Sequence, residues 1–341
     1  MALGVPTETT FAPSDWEVLA SFWHPVAYSK EVRDDAPYPI RLLDHDLVAY
    51  RTDGGLVVAR DVCVHRGTPL SLGHLECGEL VCRYHGWHYG ADGRCTLIPS
   101  FGPGHRIPPK ARLMTCQAVE RYGIVWALLA DEARLPMPAW PEVEDPSYRT
   151  VCPDAQNWAI SAGRQVENFL DISHFSFVHT GTFGNRDWAQ IPEVEIERTP
   201  QGFKYDFIYM ASNPGVSPLS GGDTIHRTMH YELTLPFSAR LVIEYPSEQR
   251  DVVFITAAPV SAKSDRVFLF VSRNYDHHKS DEELLAWDLA ILAEDRVIVE
   301  RQRPEELPLD LSAEMHVSAD RMTLAYRKAL GDLGLGRRYT S

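Results

Sequence analysis

The chain has 341 residues, of which 44% are hydrophobic and 23% charged, and its formal net charge is −14 at pH 7. That acidic balance argues against a nucleic-acid or anionic-membrane partner, either of which wants a basic face. The absence of any apolar run of about 18 residues argues against a transmembrane helix, and Met1–Thr10 lacks the basic-then-apolar pattern of a secretory leader, so the expected location is cytoplasmic.

Residues 1–20 form an N-terminal segment. From there to about residue 135 the chain reads as short β runs broken by turns. Arg41–Arg51 and Leu56–Val62 are strand-like, with Thr52-Asp53-Gly54-Gly55 as a hairpin turn between them. Asp92-Gly93 is a second hairpin signal, and Gly123–Leu129 reads as a buried strand. Two clips stand out in this region: Cys63-Val64-His65 and, after sixteen intervening residues, Cys82-Arg83-Tyr84-His85. A [2Fe–2S] cluster with two thiolates on one iron and two imidazoles on the other requires this donor set. A structural zinc site is the other reading, although zinc clips usually pair Cys with Cys two to four residues apart. Cys77, Cys95, Cys116 and Cys152 read as buried or incidental thiols, since six cysteines in this length make no disulfide framework.

Pro136, Pro138, Pro141 and Pro146 mark residues 136–149 as a linker. The second domain, 150–341, opens with a helical stretch within Trp158–His179. Strand-like segments follow at Phe203–Met210, His226–Leu235, Arg240–Tyr245, Val252–Pro259 and Val267–Tyr275. Asp281–Arg303 reads as a helix, opened by the capping box Ser280/Glu283 and stopped by Pro304. The fold class predicted is α+β: an all-β domain, then an antiparallel sheet flanked by helices in a helix-grip-like arrangement.

The segment Glu167–His179 carries a second set of candidate ligands. Asp171 and His174, three apart, would share a helix face. His174 and His179, five apart, would diverge by roughly 140° on a regular helix. They reach one metal only if the helix ends between them; Gly181 and Gly184 permit such an exit, and two unrelated histidines remain the alternative. A two-His, one-carboxylate site needs an acid as well. The late helix offers Asp288, Glu294 and Asp295, with Glu294 read as the surface residue of the three.

Taken together, the clips (Cys-Val-His-Arg-Gly at 63–67, Cys-Arg-Tyr-His-Gly-Trp at 82–87) and Asn168-x₂-Asp171-x₂-His174-x₄-His179 resemble the α-subunit of a Rieske non-haem iron oxygenase. The stretches Glu294–Glu300, Gln302–Pro304, Glu314–Arg321 and Ala325–Lys328 match as well. The branch it is similar to includes vanillate and dicamba O-demethylases, caffeine N-demethylases and saxitoxin-pathway hydroxylases, and the likeness runs from about Phe22 to Leu330. It implies that Cys63 and Cys82 bind one cluster iron, His65 and His85 the other, and His174, His179 and Asp295 a mononuclear Fe(II). It implies that Asp171 bridges to a cluster histidine of a neighbouring subunit in a head-to-tail homotrimer, and that Asn168 sits near the iron. Dihydroxylating dioxygenases often carry Asn where this chain has Glu167, which favours the monooxygenase and demethylase branch. The disulfide of cytochrome bc-type Rieske proteins would fall at Thr68 and Tyr84, and neither is Cys.

The implied chemistry is O₂-dependent hydroxylation or oxidative O- or N-dealkylation of a small cyclic molecule. The alternatives are arene cis-dihydroxylation and, less consistent with the second domain, electron carriage alone. Electrons would come from a separate NAD(P)H-dependent reductase, alone or with a ferredoxin, because no G-x-G-x-x-G follows a strand. Phe169, Phe175 and Phe177 lie near the ligand motif. Asn213, His226, His230 and Glu232 are candidates for a polar end of the pocket, and residues 213–222 read as a loop over it.

Overall fold

Turn chemistry organises the first half of the chain. The computed structural model describes residues 3–102, 105–212 and 224–336, and the chain divides into two compact units, Met1–Leu135 and Pro136–Ser341. The first unit opens with helix α1 (Pro13–Ala20), whose proline sits in the first turn, where no N–H is required. A six-stranded antiparallel sheet follows, in the order β1 (His24–Tyr28), β10 (Ile124–Leu128), β9 (Thr115–Arg121), β4 (Gly55–Arg60), β3 (His45–Thr52), β2 (Tyr38–Leu42). A smaller sheet holds β5 (His74–Glu76), β6 (Glu79–Val81), β7 (His88–Tyr89) and β8 (Cys95–Leu97).

The predicted strand Arg41–Arg51 is in fact two strands. It reverses at Leu43 and Asp44, both in the left-handed region at φ 48° and 61°. Leucine carries no turn signal. Here burial overrides propensity: Leu43 is fully buried and its carbonyl accepts the Trp16 indole N–H at 2.9 Å. Cys63 and Cys82 lie in one apolar cluster with Leu70, Leu80 and Tyr89.

The second unit is built on an eight-stranded antiparallel sheet. Its path is β11 (Arg149–Val151), β18 (Ser264–Arg273), β17 (Arg250–Ser261), β16 (Ser238–Glu244), β15 (Thr224–Thr234), β14 (Gly202–Ser212) and β13 (Glu197–Thr199), with β12 (Gln156–Trp158) also on β18. Strict alternation along β14 turns Phe203, Tyr205, Phe207 and Tyr209 inward. Helix α2 (Pro141–Glu144) is a single turn. Helix α3 (Ala162–Leu170) packs against β16, β17 and the two late helices, α5 (Asp281–Val299) and α6 (Arg321–Asp332). The capping box that opens α5 is present, Ser280 N–H donating to Glu283 Oε2 at 2.8 Å and Glu283 N–H to Ser280 Oγ at 3.2 Å. The helix ends at Val299, short of the predicted Arg303.

The stretch predicted as helical from Trp158 is interrupted. Trp158 closes β12, Ser161 caps α3 by accepting the Arg164 N–H at 3.2 Å, and the helix stops at Asp171. Asp171 Oδ1 then accepts the Ser173 N–H at 2.8 Å, an Asx turn that competes with further helix. A single turn, α4 (Phe175–Val178), follows. Asp171 and His174 therefore do not share a helix face; they flank a break. Residues 213–222 and Asn213 lie outside the described residues.

Candidate functional site

Two loops of the first unit repeat one backbone pattern. Cys63 N–H donates to Thr68 O at 2.8 Å and Gly67 N–H to Cys63 O at 2.9 Å; Cys82 N–H donates to Trp87 O and Gly86 N–H to Cys82 O, both at 2.9 Å. Gly67 and Gly86 take φ of 74° and 66°, which a side chain would strain. The pattern folds each cysteine inward and each histidine outward: both sulfurs are buried, His65 is half-buried and His85 exposed. The two imidazoles stand 4.5 Å apart, and His65 lies flat on Trp87 at 4.6 Å. His65 Nδ1 is buried without a hydrogen-bond partner, a costly state for a ring nitrogen unless it binds something. The Tyr89 hydroxyl lies 3.1 Å from Cys63 Sγ. Burial pushes the Cys82 thiol up, so metal binding here would release protons. Two buried sulfurs and an orphaned imidazole nitrogen at one tip fit a [2Fe–2S] group with Cys₂His₂ ligation. Donor chemistry alone also admits zinc.

The break after α3 creates the second site. His174 precedes α4 and His179 follows it, so the two rings converge across one turn. His174 Nε2 and His179 Nε2 are 3.1 Å apart. Asp295 Oδ1, from the penultimate turn of α5, lies 3.3 Å from each. At metal–donor bonds of about 2.1 Å, adjacent donors of an octahedron stand √2 times farther apart, about 3.0 Å. The three atoms thus fit one face of an octahedron, the two-His, one-carboxylate arrangement that leaves the opposite positions open.

The outer nitrogens fix the tautomers. His174 Nδ1 faces Asp171 Oδ2 at 3.3 Å and His179 Nδ1 faces Glu294 Oε2 at 2.9 Å. Each carboxylate takes an Nδ1–H and leaves the Nε2 lone pair for the centre. Asp295 Oδ1 is buried with no hydrogen bond. Three such atoms aimed at one point call for a positive charge between them, a proton on a ring or a metal ion. The local field agrees: burial would lower the His174 pKa, yet Asp171 and Asp295 raise it to about 9. Asp295 is held well below the usual carboxylate range, because the two imidazoles outweigh its burial.

Several expectations need correction. Glu294 is no surface residue: its side chain is 22% exposed, and besides His179 it accepts the Thr182 hydroxyl at 2.7 Å and the Gly181 N–H at 3.1 Å. Asp288 does not join the triad; its carboxylate faces Arg273 Nη2 at 3.4 Å. Phe169, Phe175 and Asn168 line the cavity beside the two histidines, but Phe177 turns outward and is 59% exposed. His226, His230 and Glu232 lie on the outer face of β15, where His230 pairs with Asp206 at 2.8 Å. The inward row of that strand is Arg227, Met229 and Tyr231. A two-residue period through the apolar Met229, Tyr231 and Leu233 carries that information, and places Arg227 with them. Glu167 points at Arg327, 2.9 Å from Nη2, and at Arg164.

Residues 22–119 match the Rieske [2Fe-2S] domain and residues 158–335 match the vanillate O-demethylase oxygenase C-terminal domain. The chain belongs to the Rieske oxygenases. It is 33% identical to methylxanthine N1-demethylase NdmA of Pseudomonas putida, over 93% of this chain and 90% of that protein. It is 32% identical to methylxanthine N3-demethylase NdmB of the same species, over 94% and 91%. The structure of Pseudomonas putida CBB5 NdmA with caffeine superposes with a TM-score of 0.83 at 31% identity, over 93% and 92% of the two chains. Family membership decides between cluster and zinc in favour of a Rieske cluster, and adds a mononuclear iron. As a Rieske oxygenase the protein is an oxidoreductase that uses O₂, a small substrate and electrons from a separate reductase. Among the described residues, no helix is long and apolar enough to cross a membrane.

Proposed function

We propose that this Rieske oxygenase is a monooxygenase that hydroxylates a small cyclic substrate or removes an O- or N-methyl group from it. The observation that carries this is the donor triangle of His174, His179 and Asp295 opening onto an apolar cavity whose walls include Phe169, Phe175, Met229 and Leu292. An Fe(II) held there would activate O₂ with electrons relayed through the cluster. This chain's own residues present the substrate carbon to that face and keep water out of the cavity. Hydroxylating a methyl carbon on O or N gives a hemiacetal-like product that collapses to formaldehyde and the free O–H or N–H. The substrate's placement therefore decides between hydroxylation and dealkylation. The two full-length relatives act on N-methyl groups by their names, which supports the dealkylation reading.

In the same reading Cys63 and Cys82 bind one cluster iron and His65 and His85 the other. Asp171 carries the hydrogen-bonded link between His174 and a cluster histidine of the next subunit in a head-to-tail homotrimer, a heterologous ring that closes at three. In support, Asp171 borders a surface groove edged by His316 and Met315, the latter 92% exposed. Asn168 lines the cavity beside the iron ligands.

The test measures iron and acid-labile sulfide per chain, the EPR spectrum of the reduced protein, and formaldehyde release from methoxy- and N-methyl-substituted rings. The expected result for His174→Ala is loss of the single non-cluster iron and of all formaldehyde, with the Rieske signal intact. A cis-diol product without formaldehyde would overturn the proposal in favour of dihydroxylation.

A further inference from the structure

Behind His179 the chain folds back on itself. Gly184 N–H donates to His179 O at 2.7 Å, and Thr182 N–H donates to the same oxygen at 3.0 Å. A Cβ at Gly184 would stand 2.7 Å from His179 C and 2.5 Å from Phe175 O. Both are backbone atoms, so this close approach requires glycine. The turn is tied to the end of β14, where Ser212 N–H donates to Phe183 O and the Ser212 hydroxyl to Gly184 O, both at 2.8 Å. The outcome is that Phe183 lies flat on the imidazole four residues before it, at 4.6 Å with the planes 27° apart. Phe183 is itself wedged in place. It is 5% exposed, it meets Phe175 edge-on at 5.0 Å and Tyr209 edge-on at 6.2 Å, and the Arg227 guanidinium lies 5.2 Å from its centroid.

The two imidazoles of the triangle are therefore not held alike. Each has one carboxylate on Nδ1, Asp171 for His174 and Glu294 for His179. A hydrogen bond tolerates a departure of about 30° from linearity, and χ2 of histidine is a soft torsion, so one such bond leaves the ring free to tilt. A flat ring in van der Waals contact takes that freedom away, because tilting the imidazole drives it into the phenyl face. His179 has such a backing. His174 has none among the described residues: Phe175 meets it edge-on, at 5.0 Å and 90°. The difference bears on the site because His174 Nε2, His179 Nε2 and Asp295 Oδ1 must aim at one point across gaps of 3.1 to 3.3 Å, and a tilted imidazole carries its Nε2 off that point.

We infer that Phe183 is a positioning residue for the mononuclear site: its face fixes the plane of the His179 imidazole and, with Glu294 on Nδ1, aims Nε2 at the centre of the triangle. The inference rests on the reading that His174, His179 and Asp295 hold the iron. His179 is then the rigid ligand, and His174, the ring joined to Asp171, is the one left free to adjust.

The test compares three variants of the cluster- and iron-loaded protein. Phe183→Leu keeps apolar bulk but removes the flat face, Phe183→Tyr restores a ring, and Phe175→Leu removes a ring from the same wall that does not stack on either ligand. Two quantities are read: the iron retained against a graded chelator series, and the EPR line shape of the ferrous site exposed to nitric oxide, which reports how uniformly its ligands are arranged. Phe183→Leu is expected to lower iron affinity about 10-fold and to broaden the nitric oxide signal, with the Rieske signal unchanged. Phe183→Tyr is expected to match the wild type, and Phe175→Leu to keep the sharp signal. Wild-type iron retention and line shape in Phe183→Leu would overturn the inference, and so would equal losses in Phe183→Leu and Phe175→Leu. A measurement on the wild type needs no variant to fold. With the mononuclear iron removed, NMR relaxation of ¹³C-labelled histidine rings is expected to find His179 more rigid than His174, and equal mobility would overturn the inference. Iron content separates this from the reading beneath it. A wild type without non-cluster iron removes the ligand assignment itself, whereas iron held equally by wild type and Phe183→Leu leaves that assignment standing and removes only the part given to Phe183.

Discussion

The two metal-binding regions are assembled by opposite routes. The loops at Cys63–Thr68 and Cys82–Trp87 each build their part of the site locally. A five-residue turn, one left-handed glycine and a repeated pair of backbone hydrogen bonds set a buried sulfur beside an outward imidazole. The mononuclear site is made from distant pieces. The interrupted helix after Leu170 supplies His174 and His179, and α5 supplies Asp295 with its neighbour Glu294. A local site depends on backbone geometry. An assembled site depends on the carboxylates that aim each ring.

That contrast can be pressed from its largest consequence downward. Asp171→Asn keeps a hydrogen-bond acceptor for His174 but removes the charge. It is expected to leave cluster and iron contents unchanged while slowing turnover by about 100-fold or more, read by single-turnover electron transfer from the reduced cluster; normal turnover with both metals present would sink the bridging role. Glu294→Gln weakens the hold on His179 Nδ1 and is expected to lower iron affinity about 10- to 100-fold. Iron retained during dialysis against a graded chelator series reads this, and the Rieske signal should not change. Gly67→Ala meets no atom within 4 Å, so its effect is purely that of a left-handed backbone, about 1–2 kcal/mol. A Tm drop with unchanged mononuclear iron would keep the two regions separable.

A further effect concerns acid. Burial depresses the His24 pKa to about 4, against the hydrogen bond its ring makes to Leu19 O. A folded value below the ordinary 6.5 means the neutral ring's contribution is fully present above pH 6.5 and is lost as the pH falls toward 4. His24→Gln should flatten the decline in Tm between pH 7 and pH 5; an identical slope would remove His24 from the acid response.

Legibility in the sequence follows the same divide. The clips are readable from spacing because their geometry is local, and the strands of the second unit are readable from their length and apolar content. The mononuclear site is not readable from helical periodicity, which puts His174 and His179 on different faces; the Asx turn at Asp171 that breaks the helix is a contest between side chain and backbone that no period records. Nor does composition separate Asp288, Glu294 and Asp295, whose roles depend on Arg273, on Thr182 with Gly181, and on the two imidazoles. The choice of His226, His230 and Glu232 failed for a simpler reason, since polar character was followed where strand parity should have been. The reversal at Leu43 was hidden by its burial against Trp16.

Gly181 gives the site a weak point outside its ligands. A Cβ there would stand 2.6 Å from Glu294 Oε1, so the first methyl added at position 181 collides with the carboxylate that steadies His179. That carboxylate must then swing aside, and its second oxygen is the one that holds His179 Nδ1 and the Thr182 hydroxyl. Gly181→Ala should therefore loosen iron in the natural background and do so less beside Glu294→Asp, a difference that would reveal coupling between these two positions, far apart along the chain.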